Sequence, residues 1–77
     1  MKKYYSLVVS VLDEDGNRVE AHEIVGGNNK KDILKDRTQL KKEIQNSKYD
    51  ELKQEGCTLE ADIEVHNDDT YELIEII

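Results

Sequence analysis

Three carboxylates alternate along one short segment of the chain and form its most regular charged pattern. Glu60, Asp62 and Glu64 are two residues apart, so a β-strand would point them to one face, about 6.6 Å between neighbours. Glu20 and Glu72 lie in segments that we predict to bring them to the same face. Such an array suits a basic groove built to bind phosphates. A solvated face that only aids solubility is the alternative.

Large apolar side chains are predicted to share this acidic face. They are Tyr4, Val8, Leu12, Ile24, Ile74 and Ile76. If one helix covers the opposite face, these six stay near water, and apolar patches of that size mark interfaces more often than monomer surfaces. Three explanations are open: a protein-binding surface, a self-association surface, and an error in the predicted strand register.

No group of residues predicts catalysis. The hydroxyl side chains lack a recognisable nucleophile setting, and Cys57 is expected to fill the core. His22 and His66 are predicted beside carboxylates, and both residue types are metal ligands, but their spacing matches no ligand pattern. We therefore predict a protein that is not an enzyme, with no catalytic residue, no metal site and no cofactor.

The overall charge is strongly acidic. The chain has 18 Asp and Glu against 11 Lys and Arg, a formal charge of −7 over 77 residues. Nucleic-acid binding needs a positive field, so we expect a protein partner with a basic surface and no direct nucleic-acid binding. No apolar stretch is long enough to span a membrane, and the lone cysteine fits a reducing compartment. We predict a cytoplasmic protein.

The predicted elements follow the order strand, strand, helix, strand, strand within one domain, residues 1–77. Asp13 to Asn17, with Gly16, predicts a three-residue hairpin loop with a bulge, which would place Val11 opposite Val19. Asn29 is a predicted N-cap. Whether residues 30–55 form one helix or two is open, although a break near residues 46–47 is favoured because an unbroken helix would be about 39 Å long, well beyond the strands.

The strand order is predicted from the faces of the strands. The first and last strands carry apolar residues on both faces, which suits central positions, and the second and third carry acids outward, which suits edges. With a right-handed crossover this gives an α+β fold of type ββαββ: a four-stranded mixed sheet of order 2-1-4-3 with one helix on one face. The order 2-1-3-4 stays open.

That arrangement resembles the β-grasp fold of ubiquitin-like domains and immunoglobulin-binding bacterial modules. The resemblance is one of topology and implies no function.

The predicted function is that of a small acidic inhibitor or adaptor that occupies a basic, nucleic-acid-binding surface of a target enzyme. As a type of protein, it is similar to DNA-mimicking glycosylase inhibitors and anti-CRISPR proteins of phages and mobile elements. The absence of proline is in keeping with the amino-acid usage of such proteins. Target Arg and Lys would pair with Glu20, Glu60, Asp62, Glu64 and Glu72, and the apolar anchors would be Tyr4, Ile74 and Ile76. The alternative is a homodimeric structural or accessory module without catalytic activity.

Overall fold

The computed structural model describes residues 2–77, which form a four-stranded antiparallel sheet with one α-helix on one face. The strands are β1 (Lys3–Leu12), β2 (Arg18–Gly27), β3 (Thr58–Asn67) and β4 (Leu73–Ile76). The helix α1 (Lys30–Gln45) is followed by a short 3-10 turn, Asp50–Leu52. The α+β class, the ββαββ order and the position of the helix on one face are confirmed.

The first hairpin has the predicted loop but not the predicted register. Gly16 takes a φ of +83°, and the Asp13 amide donates to the Asn17 carbonyl at 2.8 Å, as a three-residue loop requires. Beyond the loop, Val19 and Ile24 are extra residues in β2, and each shifts the register. Because a slip of one residue moves side chains to the other face of the sheet, the face assignments predicted along β2 change.

The helix begins and ends at the predicted signals. The Asn29 side chain accepts from the Asp32 amide at 3.3 Å, which is N-capping. The helix stops at Gln45, and Ser47 has a φ of +65°, a conformation that a right-handed helix excludes. The predicted break is therefore confirmed. Among residues 2–77, no helix combines the length and apolar character needed to cross a membrane.

The core lies between α1 and the two central strands. Each of its fully buried residues is at most 5% exposed, and they come from three elements: Leu7 and Val9 of β1, Ala61, Ile63 and Val65 of β3, and Ile33 and Leu40 of α1. This set follows the period of two along the strands and the seven-residue spacing of two helix turns along α1.

The strand order differs from the predicted one. β1 lies between β2 and β3 and is antiparallel to both, so the order is 2-1-3-4. The favoured order 2-1-4-3, the mixed sheet and the β-grasp likeness are therefore wrong, and the order 2-1-3-4, which the sequence left open, is the one observed. The apolar residues of the last strand suggested a central position, yet β4 is a short edge strand whose side chains remain exposed. β3 can be central because two of its outward acids are hydrogen-bonded, Asp62 to Ser10 of β1 and Glu64 to Arg18 of β2.

Candidate functional site

The sheet face opposite α1, here called the open face, carries most of the residues that the sequence singled out. The register places on it Tyr4, Ser6, Val8, Ser10 and Leu12 of β1, Glu60, Asp62, Glu64 and His66 of β3, Arg18, Ala21, Glu23 and Gly26 of β2, and Leu73 and Ile76 of β4. The three alternating carboxylates of β3 therefore do lie side by side on one face.

Two of the five predicted carboxylates lie elsewhere. Glu20 is opposite Val11 and faces the helix side, because Val19 is an extra residue in β2. Its carboxylate accepts from the Gln54 side chain at 2.9 Å. Glu72 lies in the short irregular segment between the 68–70 turn and β4, exposed to solvent. The register shift also puts His22 on the helix side, so the sheet separates it from His66.

The centre of the open face is covered by an ion pair. Arg18 of β2 donates through Nη2 to Glu64 of β3 across the intervening strand. The bond runs past Val8 and Ser10, which are 3% and 0% exposed although no helix covers them. The prediction that Val8 stays near water is therefore wrong, since the long Arg18 side chain and its partner shield it.

Glu64 is an internal member of this network and not a free acid. His66 Nε2 lies 2.9 Å from Glu64 Oε1. Burial acts to raise the pKa of Glu64, but the hydrogen bonds from His66 and Arg18 outweigh it and hold the pKa below its ordinary value. Asp62 accepts from the Ser10 hydroxyl at 2.7 Å. Glu60, by contrast, is exposed and has no partner within residues 2–77.

Tyr4 is fixed at the other side of the face. Its hydroxyl donates to Glu23 Oε1 at 2.7 Å, and the Ser6 hydroxyl donates to the same oxygen at 2.9 Å. The hydrogen bond to Glu23, together with burial, raises the pKa of Tyr4 to about 12. A β-carbon at Gly26 would overlap the Tyr4 hydroxyl, so the glycine makes room for the ring.

Three rings form an aromatic corner at one end of the open face: Tyr4, His66 and Tyr71. Tyr71 stacks on His66 with centroids 4.2 Å apart and planes 6° apart, and its centroid is 5.8 Å from that of Tyr4. His66 Nδ1 also lies 3.1 Å from the Tyr71 carbonyl oxygen. His66 is buried, whereas Tyr71 is 56% exposed. The corner therefore presents one aromatic ring to solvent on a buried support.

The other predicted anchors are only partly assembled with this corner. Ile76 is opposite Glu64 on the open face and 47% exposed, and Leu73, beside His66, is 48% exposed. Ile74 is exposed where the register of β4 shifts. Ile24 is on the helix side, where it lines a groove of about 200 Å³ with Leu40.

Sequence reasoning missed Tyr71 and Arg18. Tyr71 follows a turn in which the Asn67 side chain accepts from the Asp69 and Thr70 amides. That asparagine was the available signal, because Asx turns of this kind end regular pairing. Arg18 gave no signal, since its role depends on the strand order.

Comparisons with protein-family models, curated proteins and solved structures find no match to this chain.

Proposed function

We propose that this chain is a non-catalytic inhibitor or adaptor that binds a basic surface of a target protein through its open face. The observation that carries the proposal is a sheet face that no helix covers, with the exposed aromatic corner at one end and the carboxylates of Asp62 and Glu60, which have no cationic partner among residues 2–77, further along β3. Apolar anchors surrounded by charge are the usual composition of a protein-binding site.

The conformation of Tyr71 supports a binding role for the corner. Its φ of +60° is uncommon for a residue other than glycine, asparagine or aspartate, and such backbone costs of order 1–3 kcal/mol. The stack on His66 and the 2.7 Å bond from the Tyr71 amide to the Asn67 carbonyl hold it there. A costly conformation that leaves a ring in water suits a residue that is held ready for a partner.

The acids indicate the chemistry of that partner. Glu60 is exposed and unpaired, and Asp62 lies next to it on β3. Within a chain of charge −7, they favour a surface rich in Arg and Lys and would speed its association. A nucleic-acid-binding channel is such a surface, so we propose an inhibitor of DNA-mimic or anti-CRISPR type, as encoded by phages and mobile elements. The proposal now depends on Glu60 and Asp62, since Glu20 and Glu64 are engaged elsewhere.

The test is a capture experiment with charge-matched variants. The wild-type chain, E60Q/D62N and the control E51Q/E55Q are immobilised and exposed to extract of the source cells. The amide that D62N introduces can still accept from the Ser10 hydroxyl, and Glu51 and Glu55 are exposed residues away from the sheet. We expect the wild type and the control to retain the same basic protein, released by about 0.5 M salt, and the open-face variant to retain at least about tenfold less. Equal retention by all three chains would contradict the proposal.

A homodimeric accessory module is the second candidate, favoured by one feature of β4. This edge strand leaves Leu73, Ile74 and Ile76 between 42% and 48% exposed, and exposed apolar edges pair readily with other strands. Sedimentation equilibrium at micromolar concentration distinguishes the two candidates. A dimer that persists at high salt and dissociates in I74K/I76K would favour the module; a monomer would exclude it.

A further inference from the structure

The outer edge of β3 is only partly paired. β4 covers Glu64 to His66, and Ile63 exchanges two bonds with Ile77, at 3.1 and 2.8 Å. In an antiparallel ladder the backbone groups of alternate residues point to the same side. Ala61 and Leu59 therefore direct their N–H and C=O groups to this outer edge, where no strand within residues 2–77 meets them.

A groove lies next to these unpaired groups. It has a volume of about 190 Å³ and runs between α1 and the start of β3. Ile44, Leu59 and Ala61 give it apolar walls, and Lys41 and Glu60 lie at its polar margin. The groove has room for an aliphatic side chain that projects from a strand placed beside β3.

We propose that an extended segment of the target protein adds to the sheet along the Leu59–Ala61 edge of β3. Main-chain hydrogen bonds would give such a complex affinity, and the groove would give it side-chain selectivity. The inference rests on the proposed binding function and names the part of the target that is recognised.

The register defines the chemistry of that segment. Residues of an added strand opposite Leu59 and Ala61 point to the helix side, into the apolar groove, and the intervening residues point to the open face, beside Glu60 and Asp62. Apolar residues fit the first positions, and Lys or Arg fit the second. The segment thus alternates apolar and basic residues.

A second copy of this chain is a poor occupant of the same edge. Antiparallel pairing of two β3 edges would set the acids at 60 and 62 against each other, and the β2 edge would bring Glu20 and Glu23. Like charges directly opposite one another destabilise strand pairing. Charge complementarity therefore favours a basic partner.

The test uses three capped hexapeptides and the full chain labelled for NMR. The probe alternates lysine and valine, the second peptide has the same composition in two blocks, and the third carries N-methyl groups on the valines of the alternating sequence. We expect the probe to slow amide hydrogen exchange at Leu59 and Ala61 at least about tenfold at saturation, and the other two peptides to bind at least about tenfold more weakly.

Three results would overturn the inference. They are no slowing at these two amides, equal affinity of the N-methylated peptide, and protection of the amides that rises with protein concentration without peptide, which would place a second copy on the edge. None of them bears on the capture experiment with E60Q/D62N, so failure of the edge site and failure of the proposed function are separable.

Discussion

Arg18 of β2 and Glu64 of β3 form an ion pair across β1, over a sheet face that no helix covers. The pair shields Val8 and Ser10 from water and joins β2 and β3, the two strands that flank β1. One acid of the alternating row thus stabilises the fold, and we propose that its neighbours Glu60 and Asp62 contact the partner.

Removing the Arg18 charge should destabilise the protein clearly. R18M leaves Glu64 partly buried without its cation, and we expect a loss of about 2 kcal/mol in the free energy of unfolding, less than for a fully buried pair because both side chains keep some exposure. Urea denaturation measures it. The control is K53M, which removes the exposed ion pair to Asp50 at 3.4 Å and should cost less than about 0.5 kcal/mol. Equal losses would show that the open-face pair is not a structural element.

Adjacent glycines in β2 should respond differently to alanine. A β-carbon at Gly26 meets the Tyr4 hydroxyl and Glu23, whereas one at Gly27 meets nothing within 4 Å. G26A should displace Tyr4, lose its hydrogen bond and cost about 1–2 kcal/mol, while G27A changes stability little. Thermal or urea unfolding of both variants tests this, and an unaffected G26A would place the Tyr4 ring elsewhere.

The Tyr4 hydroxyl should ionise late in an alkaline titration. Its pKa is raised from 10.0 to about 12, first by the hydrogen bond to Glu23. Because the folded-state pKa is the higher one, this bond stabilises fully below pH 10 and its contribution is lost as the pH rises towards 12. The difference in tyrosinate absorbance between the wild type and Y4F isolates Tyr4 and should show a transition near pH 12. In the E23Q background the midpoint of this transition should move back towards pH 10. A wild-type-minus-Y4F transition centred near pH 10 would contradict the hydrogen bond between Tyr4 and Glu23.

Acid should weaken the fold through Glu64. The folded-state pKa of this group lies below its ordinary value of 4.5, so the stability it provides is present above that pH and is lost as the pH falls through the lowered value. Urea denaturation over this acidic range should give a steeper loss for the wild type than for E64Q. Parallel losses in the two proteins would indicate that the carboxylate gains nothing from Arg18 and His66 on folding.

Local signals in the sequence predicted the elements well because each depends on near neighbours. The Asn29 cap, the loop at Gly16 and the alternation from Leu59 to Val65 all hold in the structure. The favoured strand order 2-1-4-3 did not hold, because the apolar residues of β4 are compatible with a central strand and with an exposed edge strand equally well. Only long-range pairing distinguishes these two cases.

The candidate site was predictable to the same extent. Alternation alone placed Glu60, Asp62 and Glu64 on one face. No feature of the sequence predicts the β-bulge at Val19, which moves Glu20 from the open face to the helix side of the sheet. The Arg18–Glu64 pair required the order 2-1-3-4, so the sequence could not show which acids were already engaged.

The central claim, that the open face is the binding surface, is tested most directly by the affinity of the captured target for the Tyr71→Gly variant. Glycine removes the exposed ring and accepts a φ of +60° without strain, so the free energy of unfolding should stay within about 1 kcal/mol of the wild type. Calorimetric titration should nevertheless give a Kd at least about tenfold higher, while the control V19A, which truncates a side chain 48% exposed on β2, binds as the wild type does. A folded Y71G that binds the target with unchanged Kd would contradict the claim that the open face is the binding surface.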